Sequence, residues 1–329
     1  MHICLVSDTW NNVNGVCTTL KNTVRELRCM GHEVLVIEPS QFNTISLPTY
    51  PEIKLSINLW KVGKKIKDFK PNSIHIATEG PLGIAARLYC RNIPYNTSYH
   101  TMFPEYIHQK FKLPINWGYA AMRLFHKYSS TVLVTTESMR VNLSNRGFER
   151  LAVWSRGVDT RQFNLDSKIG KMNIPRPVLL CVSRASQEKG LDDFCKLKTI
   201  GSKILIGDGP YLDELKSKYS DVRFLGYKHG TVLAHFYANA DVFVFPSKTD
   251  TFGIVMLEAN ACGTPIAAYP VVGSIDVVIE GLNGSLDNDL SVAVQRAIKC
   301  DRPTIAEYAK KYSWKKCTET FISNLPLIS

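Results

Sequence analysis

What this 329-residue chain lacks narrows its class. It has no long apolar run. None reaches the roughly 18 residues that a membrane-spanning helix needs. The N-terminus opens directly into the strand-like Ile3–Val6, with no charged and then apolar leader ahead of it. A protein of this kind meets a membrane only at its surface. It also lacks paired cysteines. Nine are scattered along the chain, an odd number with no C-x-x-C spacing. That argues against a disulfide framework and against a zinc site. Most stand in apolar runs as small core residues, and a reducing, cytoplasmic compartment is the default. Low-complexity tracts and short repeats are missing. No G-x-G-x-x-G follows the first strand, which disfavours a dinucleotide oxidoreductase.

What is present fits a soluble globular protein. Hydrophobic residues make up 45% and charged residues 21%. Forty Lys and Arg against 29 Asp and Glu leave a net charge of +11. Such a balance favours anionic partners: nucleic acid, acidic lipid or phosphorylated substrates. The chain carries no RNA-binding motif, helix-turn-helix signature or continuous basic stripe, so nucleic acid is not the expected partner.

The dominant pattern is a short apolar run, a turn, then a helical stretch. His2–Ser7 reads as a buried strand, and Val16, Leu20, Val24 and Leu27 follow at helical spacing. Val34–Ile37, Ser73–Ala77 and Thr131–Thr135 read as further strands. The pattern restarts with Val178–Val182, Lys203–Ile206, Val222–Leu225 and Val242–Phe245. Continuous apolar strands alternating with helices predict parallel sheets covered on both faces. The fold class is α/β, with two Rossmann-like, doubly wound domains facing a central cleft. We expect an N-terminal domain over residues 1–165, a polar linker over 166–176 and a C-terminal domain over 177–303. A helical segment over 304–329 should pack back toward the first domain. Ligands of such folds bind at strand ends and helix N-termini.

The unusual residues fall in loops that follow strands. Asp8 to Val16 leads from a strand into a helix and sets Gly15 at its start. Either this glycine serves the turn, or it lets phosphate approach free amides. Arg184 and Lys189, five apart after Val182, either straddle a diphosphate or are solvated surface charges. Ile206–Pro210 is a tight turn that shapes a wall. Tyr227-Lys228-His229-Gly230 is either a turn or a reader of a nucleobase edge. The richest run extends from Phe245 to Pro265. A strand delivers Asp250 to a loop, Phe252-Gly253-Ile254 begins a helix, and Glu258 lies inside that helix among Ile254, Val255, Met256, Leu257 and Ala259. A carboxylate in such company is costly without a ligand or partner. Two acids eight apart across a helix start suit vicinal hydroxyls, as on ribose or a sugar.

That run, Asp250-x7-Glu258, resembles the acidic E-x7-E signature of retaining glycosyltransferases of family 4, which have the GT-B fold. His75 to Gly83, Tyr99 to Tyr106, Ser155 to Asp159 and Ala268 to Asp276 also resemble family segments. They are nearest the branch of GDP-mannose-dependent α-mannosyltransferases and sulfoquinovosyl-diacylglycerol synthases. The resemblance implies a nucleotide-diphosphate sugar as donor and no metal or other cofactor. It implies that Gly15 and Val16 approach the donor phosphates and that Arg184 and Lys189 neutralise them. Glu258 would hold the ribose. Asp250, with the backbone at Phe252, Gly253 and Ile254, would hold the sugar. His100 would stand beside the reacting centre. Asp250 departs from the family's usual Glu by one methylene. The best-matching activity is transfer of an α-mannosyl group from GDP-mannose to a lipid or glycan acceptor. A UDP-sugar donor is the alternative; a nucleotide-sugar epimerase is a remoter one.

For the acceptor side, Leu59, Val62, Ile66 and Phe69 alternate with Lys61, Lys64, Lys65, Lys67 and Lys70. This is a basic amphipathic helix, either packed on the sheet or lying on anionic lipid. Lys110, Lys112, Trp117, Arg123, Phe125, His126 and Lys127 add a basic, aromatic stretch. Tyr99 and Glu105 complete the expected acceptor contacts.

Overall fold

The computed structural model describes residues 1–11, 14–47, 50–168, 170, 172–250 and 252–328. Asn12 and Val13 of the first loop, Ile169 and Lys171 of the expected linker, and Thr251 of the acidic run lie outside the described residues. The chain forms two compact units, Met1–Ser155 with Trp314–Ser329, and Arg156–Ser313.

The first unit runs β1 (His2–Val6), α1 (Gly15–Cys29), β2 (Glu33–Ile37), β3 (Thr44–Leu47), β4 (Tyr50–Ser56), α2 (Trp60–Phe69), β5 (Ser73–Ile76), α3 (Pro81–Tyr89), β6 (Asn96–Tyr99), α4 (Phe103–Phe111), α5 (Ile115–His126), β7 (Val132–Val134), α6 (Glu137–Asn145) and β8 (Leu151–Val153). Six strands form one parallel sheet in the order β2-β1-β5-β6-β7-β8, and β3 and β4 pair antiparallel beside it in sequence. β1 lies inside the sheet, between β2 and β5, and Ile3 to Val6 are fully buried, as a strand covered on both faces requires. α1 starts where Asn14, in extended conformation, accepts a hydrogen bond from Cys17 N. It buries Cys17, Leu20, Val24 and Leu27 on one face.

β6 has no apolar run, yet Asn96, Thr97, Ser98 and Tyr99 are all buried. Side-chain partners make this tolerable. His75 Nδ1 lies 2.9 Å from Asn96 Oδ1, and Ser98 Oγ lies 2.9 Å from His75 Nε2. Thr97 Oγ1 donates to Ser129 Oγ at 2.9 Å.

The second unit runs β9 (Val178–Val182), α7 (Leu191–Cys195), β10 (Ser202–Ile206), α8 (Leu212–Lys218), β11 (Val222–Phe224), α9 (Gly230–Asn239), β12 (Val242–Phe245), α10 (Ile254–Ala261), β13 (Ile266–Ala268), α11 (Ser274–Val277), β14 (Gly284–Leu286), α12 (Leu290–Ala297) and α13 (Arg302–Ala309). Its parallel sheet has the order β11-β10-β9-β12-β13-β14. α14 (Trp314–Ser323) then returns to the first unit, where Trp154 Nε1 donates to Cys317 O at 3.1 Å and the Trp154 and Phe321 rings lie 4.9 Å apart.

Both units are therefore doubly wound, α/β and Rossmann-like. Two expected boundaries move. The segment from Arg156 onward, placed by sequence partly in the first domain and partly in a linker, belongs to the second unit. Phe163 is buried against Tyr237, their rings 5.9 Å apart, and a Cβ on Gly263 would meet Leu165 at 2.4 Å. The terminal stretch is two helices, interrupted between Ala309 and Trp314 where the chain passes from one unit to the other.

Candidate donor site and its relatives

In each sheet the strand order reverses at one place, between β1 and β5 in the first unit and between β9 and β12 in the second. Loops leaving neighbouring strands at such a point diverge to opposite faces and open a crevice at the carboxyl ends.

In the second unit these loops are Ser183–Gly190 and Pro246–Gly253. Lys189 Nζ donates to Asp250 Oδ1 at 2.5 Å, with both side chains about three-quarters buried. Thr249 Oγ1 donates to the Glu188 carbonyl at 3.3 Å. Gly190 adopts φ +63°, and a Cβ there would meet the Pro246 carbonyl oxygen at 2.7 Å. The approach of the loops thus depends on glycine. Arg184 stands half-buried on the same loop as Lys189.

α10 begins directly after Gly253. This glycine adopts φ +81°, and no side chain from it caps the helix. The first amides of α10 are oriented to favour an anion. Phe252 is buried in the core, so it offers backbone only. Glu258 lies one turn further in, half-buried. The Tyr237 hydroxyl, from α9, donates to Glu258 Oε2 at 3.0 Å. Burial pushes the Glu258 carboxyl up to about 7, with the Tyr237 hydrogen bond acting in the opposite direction. The partner that a carboxylate needs in this apolar helix is thus a tyrosine 21 residues upstream, and nothing in the local sequence announces it.

The Ile206–Pro210 turn is packed rather than open. Ala185 N donates to Asp208 O at 2.9 Å, Tyr211 N donates to Ala185 O at 3.0 Å, and a Cβ on Gly207 would meet Ser183 O at 1.8 Å. The turn props up the Arg184 loop. Tyr227 and His229 are exposed after β11, their rings stacked 5.8 Å apart and 23° from parallel, with Lys228 between them in sequence.

In the first unit, Gly15 is exposed at the start of α1 and Val16 is half-buried. The residue that sequence reasoning passed over is Asp8, at the end of β1. Its Oδ1 accepts from Leu82 N at 2.7 Å, and its Oδ2 accepts from Gly83 N at 3.2 Å and from Thr78 Oγ1 at 2.8 Å. It ties the loop after β1 to the N-terminus of α3 across the switch point. An acid directly following a buried strand was the available signal. His100, after β6, is buried with its ring 5.8 Å from Trp154.

The expected acceptor residues change in meaning. Tyr99 is fully buried, its ring 5.9 Å from His126 and 6.0 Å from Phe148. It is a core residue rather than a contact residue. Glu105 accepts a hydrogen bond from the Tyr119 hydroxyl. On α2, Val62 and Ile66 are buried in the core, and Leu59 and Phe69 pack on it. Its apolar stripe is therefore spent on the sheet, leaving Lys61 and Lys64 exposed, Lys65 half-exposed and Trp60 77% exposed. Among the described residues, no group of three or more His, Cys, Asp or Glu could hold a metal ion, and no helix is long and apolar enough to cross a membrane.

Two Rossmann-like units in one chain, with a cation–acid pair at the second switch point, have the architecture of the GT-B fold. Residues 13–162 match the family described as Glycosyltransferase Family 4, and residues 176–300 match Glycosyl transferases group 1. The chain belongs to the family 4 glycosyltransferases. It is 29% identical to the sulfoquinovosyl transferase SQD2 of Arabidopsis thaliana, over 93% of this chain and 69% of that one. It is 26% identical to a GDP-mannose-dependent alpha-mannosyltransferase of Corynebacterium glutamicum, over 87% and 76%. Among solved structures, the sucrose-phosphate synthase of Thermosynechococcus elongatus matches with a TM-score of 0.81 at 19% identity, covering 98% of this chain and 97% of that one. Anabaena HepE in complex with UDP and glucose matches at 0.73 and 18%, covering 98% of each. These two likenesses establish the fold.

Proposed function

We propose that the chain is a retaining, metal-independent hexosyltransferase acting in the cytoplasm. It takes a sugar from a nucleoside diphosphate and passes it to a lipid or glycan acceptor. The observation that carries this reading is the Lys189–Asp250 pair on the loops leaving β9 and β12, the second of which runs into α10. The cation and the first amides of α10 receive the departing diphosphate, and the acid paired with the cation takes sugar hydroxyls. Arg184 supplies a second, forked cation. Glu258 accepts from the ribose hydroxyls, and the backbone at Phe252, Gly253 and Ile254 faces the sugar. Gly15 and Val16 offer amides to the phosphates, and Tyr227 and Lys228 meet the base. His100 stands beside the reacting carbon.

An α-mannosyl group from GDP-mannose is the leading donor, since relatives of that name align over most of the chain. A UDP-sugar is the second reading, because a relative named alpha-monoglucosyldiacylglycerol synthase, 26% identical over 91% of this chain, and the UDP complex of HepE point to glucosyl chemistry. A thermal-shift panel of GDP, UDP, ADP and their sugars separates them, because a ligand of the folded state raises the melting temperature by mass action. The proton spectrum of the product then gives its anomeric configuration. An inverted product removes retention, and loss of activity in excess chelator removes metal independence.

The acceptor side favours a lipid. The surface of α4 and α5 exposes Phe111, Leu113, Trp117 and Leu124 among Lys112, Arg123 and Lys127. Exposed aromatics with interspersed cations suit the interface of an anionic bilayer.

A further inference from the structure

We propose that Tyr237 is a positioning residue for Glu258: its buried hydroxyl holds Oε2 from the core side and leaves Oε1 to accept from the donor's ribose. The inference deepens the reading of Glu258 given above and rests on it.

The tyrosine is fixed on every side. It is fully buried, with its ring against Phe163 at 5.9 Å and Phe243 at 5.5 Å. Its carbonyl accepts from Thr264 Oγ1 at 2.5 Å, beyond the far end of α10. Arg302 donates to the same Thr264 oxygen at 3.2 Å and to the carbonyls of Ala238 and Ala240. The residue that holds Glu258 through its side chain thus also holds the exit of the Glu258 helix through its backbone. A rigid phenol with one rotatable O–H gives a carboxylate a single direction.

The electrostatics require such a donor. The other titratable groups around Glu258 do not supply a positive charge. Cys262, on the turn ending α10, has its thiol pushed up to about 12 by burial and by the Glu258 charge. Tyr237 itself is raised well above its usual range by burial and by Glu258, so it remains a proton donor. β12 and β13 present only apolar side chains. On α9, His235 lies 3.3 Å from the Asn239 side chain. On α13, Arg302 is committed to carbonyls, Glu307 pairs with Lys310, and Tyr308 lies against Tyr312. The loop charges Lys189 and Asp250 neutralise each other. Against burial alone, the carboxyl would take up a proton and lose an acceptor. A hydroxyl donor opposes this without placing a cation where a neutral diol must bind.

The test uses the whole chain, with GDP, UDP and ADP as probes, and follows the dissociation constant by calorimetry from pH 5.5 to 9. Tyr237→Phe should weaken the best-binding nucleotide by about tenfold at pH 7, the loss of one hydrogen bond to a charged group. The midpoint of its pH dependence should rise, with affinity recovering toward pH 9. In turnover assays the donor KM should rise with kcat changed by less than about threefold. An unmoved midpoint, or equal losses at every pH, overturns the assignment. Should Tyr237→Phe fail to fold, Tyr237→3-fluorotyrosine, a stronger donor of nearly the same shape, should lower the midpoint, and an unmoved one overturns the proposal. Glu258→Gln separates the two levels. If it leaves nucleotide affinity untouched, or if no nucleotide binds, the reading of Glu258 falls and this inference with it. If Glu258→Gln weakens binding while the Tyr237 variants leave the midpoint in place, only the role of Tyr237 falls.

Discussion

Lys189 Nζ lies 2.5 Å from Asp250 Oδ1, so the cation expected on the phosphates and the acid expected on the sugar neutralise one another. They come from loops leaving β9 and β12, 61 residues apart in sequence. On the proposed reading, entry of a diphosphate would exchange this internal pairing for two external ones. Lys189→Ala should cost on the order of 10²–10³ in kcat at saturating donor, as for loss of one preorganised stabilising group. Asp250→Asn keeps the shape and frees Lys189. It should raise KM for the sugar nucleotide while leaving the affinity for the bare nucleoside diphosphate unchanged or improved. Steady-state rates and calorimetry on the two variants check both statements. Turnover of Lys189→Ala equal to that of the unaltered chain removes Lys189 from the chemistry.

Glu258 gives the chain a pH signature. Its carboxyl is raised from an ordinary 4.5 to about 7, chiefly by burial. Between those values the folded chain binds more protons than the unfolded one, so stability falls as pH rises. The contribution is fully present below about 4.5 and is gone above about 7. In Glu258→Gln this contribution is missing at every pH. The difference in melting temperature, unaltered chain minus Glu258→Gln, should therefore fall between pH 4.5 and 7 and level off above. A difference that is flat across this range means that the carboxyl is not held in the apolar surroundings described.

The sheets were readable because central parallel strands are continuous apolar runs, as Ile3–Val6 and Val178–Val182 are. Strand β6 was not. Asn96, Thr97 and Ser98 are buried on the strength of partners such as His75 and Ser129, brought in by the fold itself. The loops proposed for the donor were picked out by their chemistry, since Arg184, Lys189 and Asp250 stand on loops that follow β9 and β12, with Glu258 in the helix after the second. Their supports were not, because Tyr237 and Asp8 act across 21 and more than 70 residues. The α2 pattern was correct as a helix and misleading as a surface. An amphipathic stripe does not say whether its apolar face meets a sheet or a lipid, and here it meets the core.

Asp8 tests the first unit in the same way. Asp8→Ala removes the acceptor for Leu82 N–H and Gly83 N–H at the start of α3. The cost should be about 1–3 kcal/mol, as for buried groups left without a partner, read as a lower midpoint in urea. Gly83→Ala should be worse, because its Cβ would lie 1.9 Å from the Thr78 carbonyl oxygen, which is backbone and cannot swing aside. A Gly83→Ala protein as stable as its parent would mean that the loop between β5 and α3 is not packed as described.

The last prediction concerns the acceptor surface. Since the apolar face of α2 is buried, any lipid contact falls to α4 and α5, where Trp117 is 69% exposed. Vesicles rich in acidic lipid should retain the chain at low salt and release it as ionic strength shortens the screening length. Trp117→Ala should weaken that retention by several-fold, since a bulky apolar group is lost from the interface. Lys61→Ala with Lys64→Ala should weaken it less, and only at low salt, because those charges would act at longer range. Retention equal on neutral and acidic vesicles would sink the electrostatic part of the idea. Retention indifferent to Trp117 would sink the assignment of the surface to α5.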